Sequence, residues 1–364
     1  MTSETVMKEW AKDYEGYVKA RFKKFPIELE PRINTMDKKL IIECATTGPS
    51  VRYWGPRDMY PKEPVGYKEG GIRFAAVPCT IEEQANSIID AVKAGAAAIH
   101  HHAVDPDKGY RTKASYAPEL QAEIFDRVFK VVDMVTLQDT FDRMGAHADW
   151  IKKTKNLLAT GGGNKYCQGS VVLVGFGKFD PEDFHISEQS LVEGVPYLEA
   201  NDVKPIYQLY NPMSLTRLKA VLIDSGLSKQ KPYVLNLHMG KHDAYVIDKD
   251  PWATLQLISA FNTVKETIPE SVMGFYAGGR NWLPLTVQAI MLGADIIRVG
   301  IEDCYWTYPH RDDVIPSNAE VVRKIATIAK ELGREIATPD EARKILGIKF
   351  TSPRVKTERI AQAA

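Results

Sequence analysis

Three consecutive imidazoles, His100, His101 and His102, follow the apolar run Ala96-Ala-Ala-Ile99. Side chains alternate across a strand, so His100 and His102 share one face and His101 takes the other. Two imidazoles so placed at a strand end can bind one metal ion, whereas a lone histidine is more often simply packed or solvated. The gathering of three of the chain's eight histidines at one point favours the metal, and zinc is the ion expected. A catalytic zinc needs a third protein ligand and an open position. The best source is the run Ile296-Ile-Arg-Val-Gly-Ile-Glu-Asp303, where Glu302 is the candidate ligand. Arg298 shares its strand parity, and Asp303 beside it makes a carboxylate that an arginine can orient. An Arg/Glu/Asp cluster on its own reads as a solvated ion pair; it gains chemical meaning from the histidines.

These groups must be carried by elements that end at one place. From residue 39 onward, short β-branched runs alternate with longer amphipathic stretches, the pattern of repeated βα units around a parallel sheet. Strands are expected at Lys39–Thr46, Ala96–His102, Val131–Leu137, Ser170–Val174, Pro205–Tyr210, Tyr233–His238, Val272–Tyr276 and Ile296–Gly300. Helices are expected after Thr80-Ile-Glu-Glu83, a capping box, and over Leu215–Ile223, Ala253–Val264, Pro284–Leu292 and Ala319–Leu332. The alternation predicts an α/β fold, a (β/α)8 TIM barrel, over residues 39–350. Catalytic groups in such barrels sit at the C-terminal ends of strands, where both the histidines and Glu302–Asp303 fall. An open doubly wound sheet is the other reading, and neither a GxGxxG turn nor a Walker loop supports it. Residues 1–38 read as an N-terminal extension, helical at first and packed outside the barrel, and 351–364 as a C-terminal tail. The loop Val51–Pro78 is long and aromatic-rich, with Tyr53, Trp54, Tyr60 and Tyr67, as expected of a substrate lid or a subunit contact.

Composition narrows the class of function. With 44% hydrophobic and 26% charged residues the chain can bury a large core, and 47 basic residues against 47 acidic ones leave no field to attract nucleic acid or an anionic membrane. No run approaches a membrane span, and the N-terminus lacks the marks of a signal peptide. The four cysteines are scattered without a CxxC pair, which fits the reducing cytoplasm.

The chain also resembles the β-keto acid cleavage enzymes, the family typified by 3-keto-5-aminohexanoate cleavage enzyme. The likeness rests on Cys44-Ala-Thr-Thr-Gly48, Ala94–His102, Ala277-Gly-Gly-Arg-Asn-Trp-Leu-Pro284, Ile297-Arg-Val-Gly-Ile-Glu-Asp303 and Leu332-Gly-Arg-Glu-Ile-Ala-Thr-Pro-Asp-Glu-Ala-Arg343. It implies a (β/α) barrel with one zinc ion on His100, His102 and Glu302. It further implies a catalytic pair, Arg298 and Asp303, and a Claisen-type exchange in which a β-keto acid and acetyl-CoA give a new acyl-CoA and acetoacetate.

The chain departs from that pattern in its substrate contacts. Ser50 stands where the family type is acidic, Val171 where it has threonine, and Gln208 where it has glutamate. The family's STGG segment has no clear partner here: Thr136–Asp139 lies in its place, while Thr160-Gly-Gly-Gly163 lies too far along. The expected substrate shell is Ser50, Val171, Gln208, Trp54 and Arg280, with Asn281 and Trp282 near it. It suits a neutral and even aromatic β-keto acid rather than an amine. The expected protein is a homo-oligomer acting on small molecules. Two other readings use the same residues: a metal-dependent C–C hydrolase or aldolase without coenzyme A, and a non-catalytic barrel that binds metal structurally.

Overall fold

The computed structural model describes residues 3–24, 34–47, 78, 80–103, 118–139, 152–179, 182–240, 252–304, 306–311 and 313–350. The elements run α1 (Ser3–Lys24), β1 (Ile41–Ala45), α2 (Ile81–Lys93), β2 (Ala98–His100), α3 (Pro118–Phe129), β3 (Val135–Asp139), α4 (Lys152–Leu157) and β4 (Gly169–Leu173). A hairpin of β5 (Phe176–Phe179) and β6 (Glu182–His185) follows, then α5 (Glu188–Ala200), β7 (Lys204–Leu209), α6 (Pro212–Arg217), β8 (Tyr233–Met239) and α7 (Trp252–Thr267). The chain continues through β9 (Ser271–Ala277), α8 (Trp282–Met291), β10 (Ile296–Val299), α9 (Asn318–Glu331) and α10 (Pro339–Leu346).

The strands close into a barrel in the order β1-β10-β9-β8-β7-β4-β3-β2, all pairs parallel. This is the expected (β/α)8 architecture. Both faces of each strand are buried, as the near-continuous apolar runs require. On β1, Ile42 and Cys44 join the layer between strands and helices, while Ile41 joins an inner cluster with Val135, Ile206, Val234, Val272 and Ile296. That cluster is closed from below by Ala342 and Leu346 of α10. The segment Thr338–Arg343 therefore serves the foot of the barrel. Thr338 and Glu341 form a capping box, and the buried Arg343 grips Asp133 with both terminal nitrogens at 2.7 and 2.8 Å and Gln168 through Nε at 2.9 Å.

Several expectations need correction. The third strand is Val135–Asp139, not Val131–Leu137, because the amides of Val131 and Val132 both donate to Val128 O and complete the end of α3. The antiparallel hairpin β5–β6 was not foreseen. The helix expected over Leu215–Ile223 starts earlier, at Pro212, with Asn211 capping Ser214 N, and widens to a π-helical turn over Leu218–Ile223.

The N-terminal extension does begin as a helix, but Trp10, Tyr14 and Tyr17 on it are exposed rather than packed. Ser50, Trp54, the other aromatics of the long loop and the tail 351–364 lie outside the described residues. No helix among the described residues is long and apolar enough to cross a membrane.

Candidate active site

The parallel register fixes which side chains meet inside the barrel. Glu43 pairs with Arg298 and with Ala98, Ala45 with His100, Gln208 with Asn236, and Asn236 with Gly274. Carried round the barrel at constant height, this register stacks inward side chains in layers drawn from alternate strands. Glu43, Leu137, Ile206 and Gly274 make a floor, and His100, Val171, Asn236 and Arg298 lie above it. Ala45, Gln208 and Tyr276 come next, and His102, Leu173, His238 and Gly300 reach the mouth.

The three expected ligands converge. Their donor atoms all lie within 4.8 Å of one another, and all three residues are buried. His100 Nε2 and His102 Nε2 are 3.0 Å apart, and each lies 3.6 Å from an oxygen of Glu302. With bonds of roughly 2.05 Å, tetrahedral ligand atoms sit about 3.3 Å apart, so these side chains fit a zinc-sized ion. His100 Nδ1 lies 2.9 Å from Leu137 O, which makes Nδ1 the protonated nitrogen and turns the Nε2 lone pair inward. His101 points the other way, with Nδ1 2.7 Å from Thr46 Oγ1 and Nε2 3.1 Å from Gln84 Oε1. Alternation along the strand thus separates two inward imidazoles from a structural one.

Beside this cluster Arg298 holds Asp303 in a fork, Nε to Oδ2 at 2.8 Å and Nη2 to Oδ1 at 3.2 Å, and approaches Glu302 Oε1 at 3.2 Å. Its guanidinium lies 4.6 Å above the Tyr276 ring, and burial pushes that phenol well up so that it stays protonated. Gly300 makes the bend possible. Its φ is 144°, and a Cβ there would sit 2.1 Å from Ala45 O, so the chain turns against β1 and folds Glu302 and Asp303 back over the mouth.

Two substrate candidates, Val171 and Gln208, line the interior; a third, Arg280, instead donates to Arg311 O at 2.7 Å and lies 4.2 Å over the Trp306 ring, bracing the segment after β10. Trp282 is buried with its indole N–H on Trp306 O. His238 faces inward, stacked 4.1 Å from Tyr276.

Sequence reasoning missed Glu43 and Asn236. Both are buried; neither oxygen of Glu43 and neither polar atom of Asn236 or Gln208 has a hydrogen-bond partner among the described residues. Asn236 leans into the space that a side chain on Gly274 would fill, 1.7 Å from where its Cβ would be. The available signal was an acid or amide within an otherwise apolar strand, without the direction in which it faces.

Burial lifts the Glu43 carboxyl from an ordinary 4.5 to about 7, against the pull of Arg298 and helped by Asp303 and Glu302. Between those pH values the folded metal-free protein binds more protons than the unfolded chain, so stability falls as pH rises through the window, by on the order of 3 kcal/mol. Glu43→Gln mimics the neutral form. It is expected to raise the unfolding temperature of the metal-free protein at pH 8 and to leave it unchanged at pH 4. Equal unfolding of variant and wild type at pH 8 would show that Glu43 imposes no charge penalty.

The family model for β-keto acid cleavage enzymes matches residues 39–348. The chain belongs to that family. Its relatives include a 3-keto-5-aminohexanoate cleavage enzyme of Fusobacterium nucleatum, 28% identical over 281 residues, 75% of this chain and 92% of the relative. A 3-oxoadipate:acetyl-CoA acetyltransferase of Cupriavidus necator is 27% identical, covering 75% of this chain and 88% of the relative. Among solved structures, a binary complex of ObcA with oxaloacetate superposes with a TM-score of 0.62 at 17% identity, covering 76% of this chain and 68% of the other; that likeness shows the fold. The match begins where the N-terminal extension ends, so the barrel carries the family character of this β-keto acid cleavage enzyme.

Proposed function

We propose that this enzyme exchanges acyl groups between a neutral β-keto acid and acetyl-CoA, giving an acyl-CoA and acetoacetate, with zinc on His100, His102 and Glu302. The observation that carries the reading is the juxtaposition of that ligand cluster with a carboxylate, Asp303, clamped by a buried arginine. Names of relatives such as 3-oxoadipate:acetyl-CoA acetyltransferase support the co-substrate. When bound, the ion supplies a Lewis acid that polarises the substrate carbonyl. Asp303 takes the proton from the carbon between carbonyl and carboxylate, with Arg298 fixing its direction. The carbanion attacks the thioester carbonyl and releases coenzyme A thiolate. The thiolate then adds to the carbonyl bearing the side group, the adjoining C–C bond breaks, and the acetoacetate carbanion recovers its proton from Asp303.

The wall from β7 and β8 supports the neutral side group. Gln208 and Asn236 offer amides where a charged group would need counter-charge. An ammonium desolvated there would bind poorly. Val171, with Ser50 and Trp54 on sequence grounds, completes the assigned shell, and Arg280 braces the segment after β10 beside it. We place the enzyme in the cytoplasm as a homo-oligomer; the buried free thiols of Cys44, Cys167 and Cys304 fit a reducing compartment.

Zinc-loaded protein should be given acetyl-CoA and a panel of β-keto acids while acetoacetate is followed. Neutral acids such as 3,5-dioxohexanoate or an aroylacetate are expected to exceed 3-keto-5-aminohexanoate by about tenfold or more in kcat/KM. Faster turnover of the amine would refute the substrate assignment, and turnover without coenzyme A would replace the reaction with hydrolytic or aldol cleavage. Unchanged aroylacetate kinetics in Trp54→Ala would confine that residue to a structural role.

A further inference from the structure

Two exposed apolar surfaces among the described residues complement each other. On α1, Val6, Met7, Trp10, Tyr14 and Tyr17 are exposed, and their spacing of three and four residues puts them on one helical face. Trp10 and Tyr14 stack with ring centroids 5.4 Å apart. The ion pairs Glu4–Lys8 and Glu15–Lys19 occupy other positions on the helix. A helix of this kind draws most of its stability from packing its apolar face, all the more with Gly16 in its middle.

The second surface is a groove of about 280 Å³ between α6 and α7, lined by Pro212, Leu215, Trp252, Leu255, Ser259 and Thr263 among others, with no charged residue among the described residues of its lining. Met213 and Ile258, beside it in sequence, are also exposed. At the helical rise per residue, Val6 to Tyr17 and Trp252 to Thr263 each span about 17 Å. Stripe and groove therefore match in length, in apolar character and in lack of charge.

We propose that α1 is an exchange arm that docks in the α6–α7 groove of a second copy of this chain. The arm lies outside the residues matched by the family model, so this surface would be particular to this chain. It is tethered at Asn34–Met36, where Thr35 Oγ1 donates to Met291 O at the end of α8. The intervening residues 25–33 can reach at most roughly 30 Å. In the structure α1 stands exposed and leaves its own groove open. A reciprocal exchange fills both grooves of a twofold dimer with identical contacts. The inference supplies a surface for the homo-oligomer proposed above.

The test uses full-length chains with Trp10→Cys in one and Leu255→Cys in the other, mixed, equilibrated and oxidised, beside a chain carrying both substitutions and light scattering of the wild type. The expected result is a disulfide between the two chains, with its yield cut at least tenfold when Tyr14→Asp is added to the arm, and a wild-type mass of at least a dimer. A monomeric wild type would overturn both the oligomer and the arm. An oligomer without the interchain disulfide, or with a yield indifferent to Tyr14→Asp, would overturn the arm alone. A disulfide that forms only within a chain carrying both cysteines would place the arm on its own barrel and overturn the exchange.

Discussion

Asp303→Asn is expected to lose at least about a hundredfold in kcat while keeping the bound metal, the scale associated with removing a general base. The amide has nearly the shape of the carboxylate and still presents one oxygen to Arg298, so the site should stay folded around it. What it loses is the capacity to accept a proton. Asp303 is buried, and its two oxygens are fixed by the forked contact with Arg298. Arg298→Ala should behave differently. Its Nη2 also lies 3.2 Å from Glu302 Oε1, so removing the guanidinium leaves two buried carboxylates without their cation. That variant is expected to lose both turnover and part of its metal affinity. Rates and metal content measured together separate the two, and near-normal turnover in Asp303→Asn would move the base elsewhere.

Most of this site was legible because period-two alternation survives at the strand ends. The HHH run declared two inward imidazoles and one outward, and Glu302 with Asp303 announced a strand end by following Gly300. Glu43, Asn236 and Gln208 belong to strands that read as apolar runs, Lys39–Thr46, Tyr233–His238 and Pro205–Tyr210. A parallel strand buried on both faces carries no contrast between faces, so nothing in those stretches says whether the polar residue looks at the helices or the lumen. That is decided by pairing β1 with β10, the closure of the barrel, which joins residues far apart in sequence. The third strand was displaced for a related reason. Val131 and Val132 have strand-like side chains, yet their amides finish α3, and backbone hydrogen bonding overrode propensity. The motif ending in Arg343 was easy to see and easy to overvalue, since it builds the foot of the barrel rather than the site.

The metal itself gives the other large effect. His100→Ala, His102→Ala and Glu302→Ala should each reduce affinity for zinc by more than the 10–100-fold that an outer-shell change typically costs, because each would remove one of three protein ligands. The His100/His102 double variant should bind no stoichiometric metal. His101→Ala is the informative control, being adjacent in sequence, equally buried and chemically identical. Its ring bridges Thr46 and Gln84, so its removal should cost about 1–3 kcal/mol of stability through the partners left unpaired, without touching the ligand atoms. Binding should also weaken as pH falls through the histidine range, since the ligating imidazoles must be neutral. Metal content by atomic emission, with unfolding monitored beside it, reads both outcomes on the same preparations. Zinc retained at one ion per chain in the double variant would mean that the histidine pair is not the site. Zinc lost from His101→Ala while the fold persists would mean that the strand is turned over and the wrong pair was chosen.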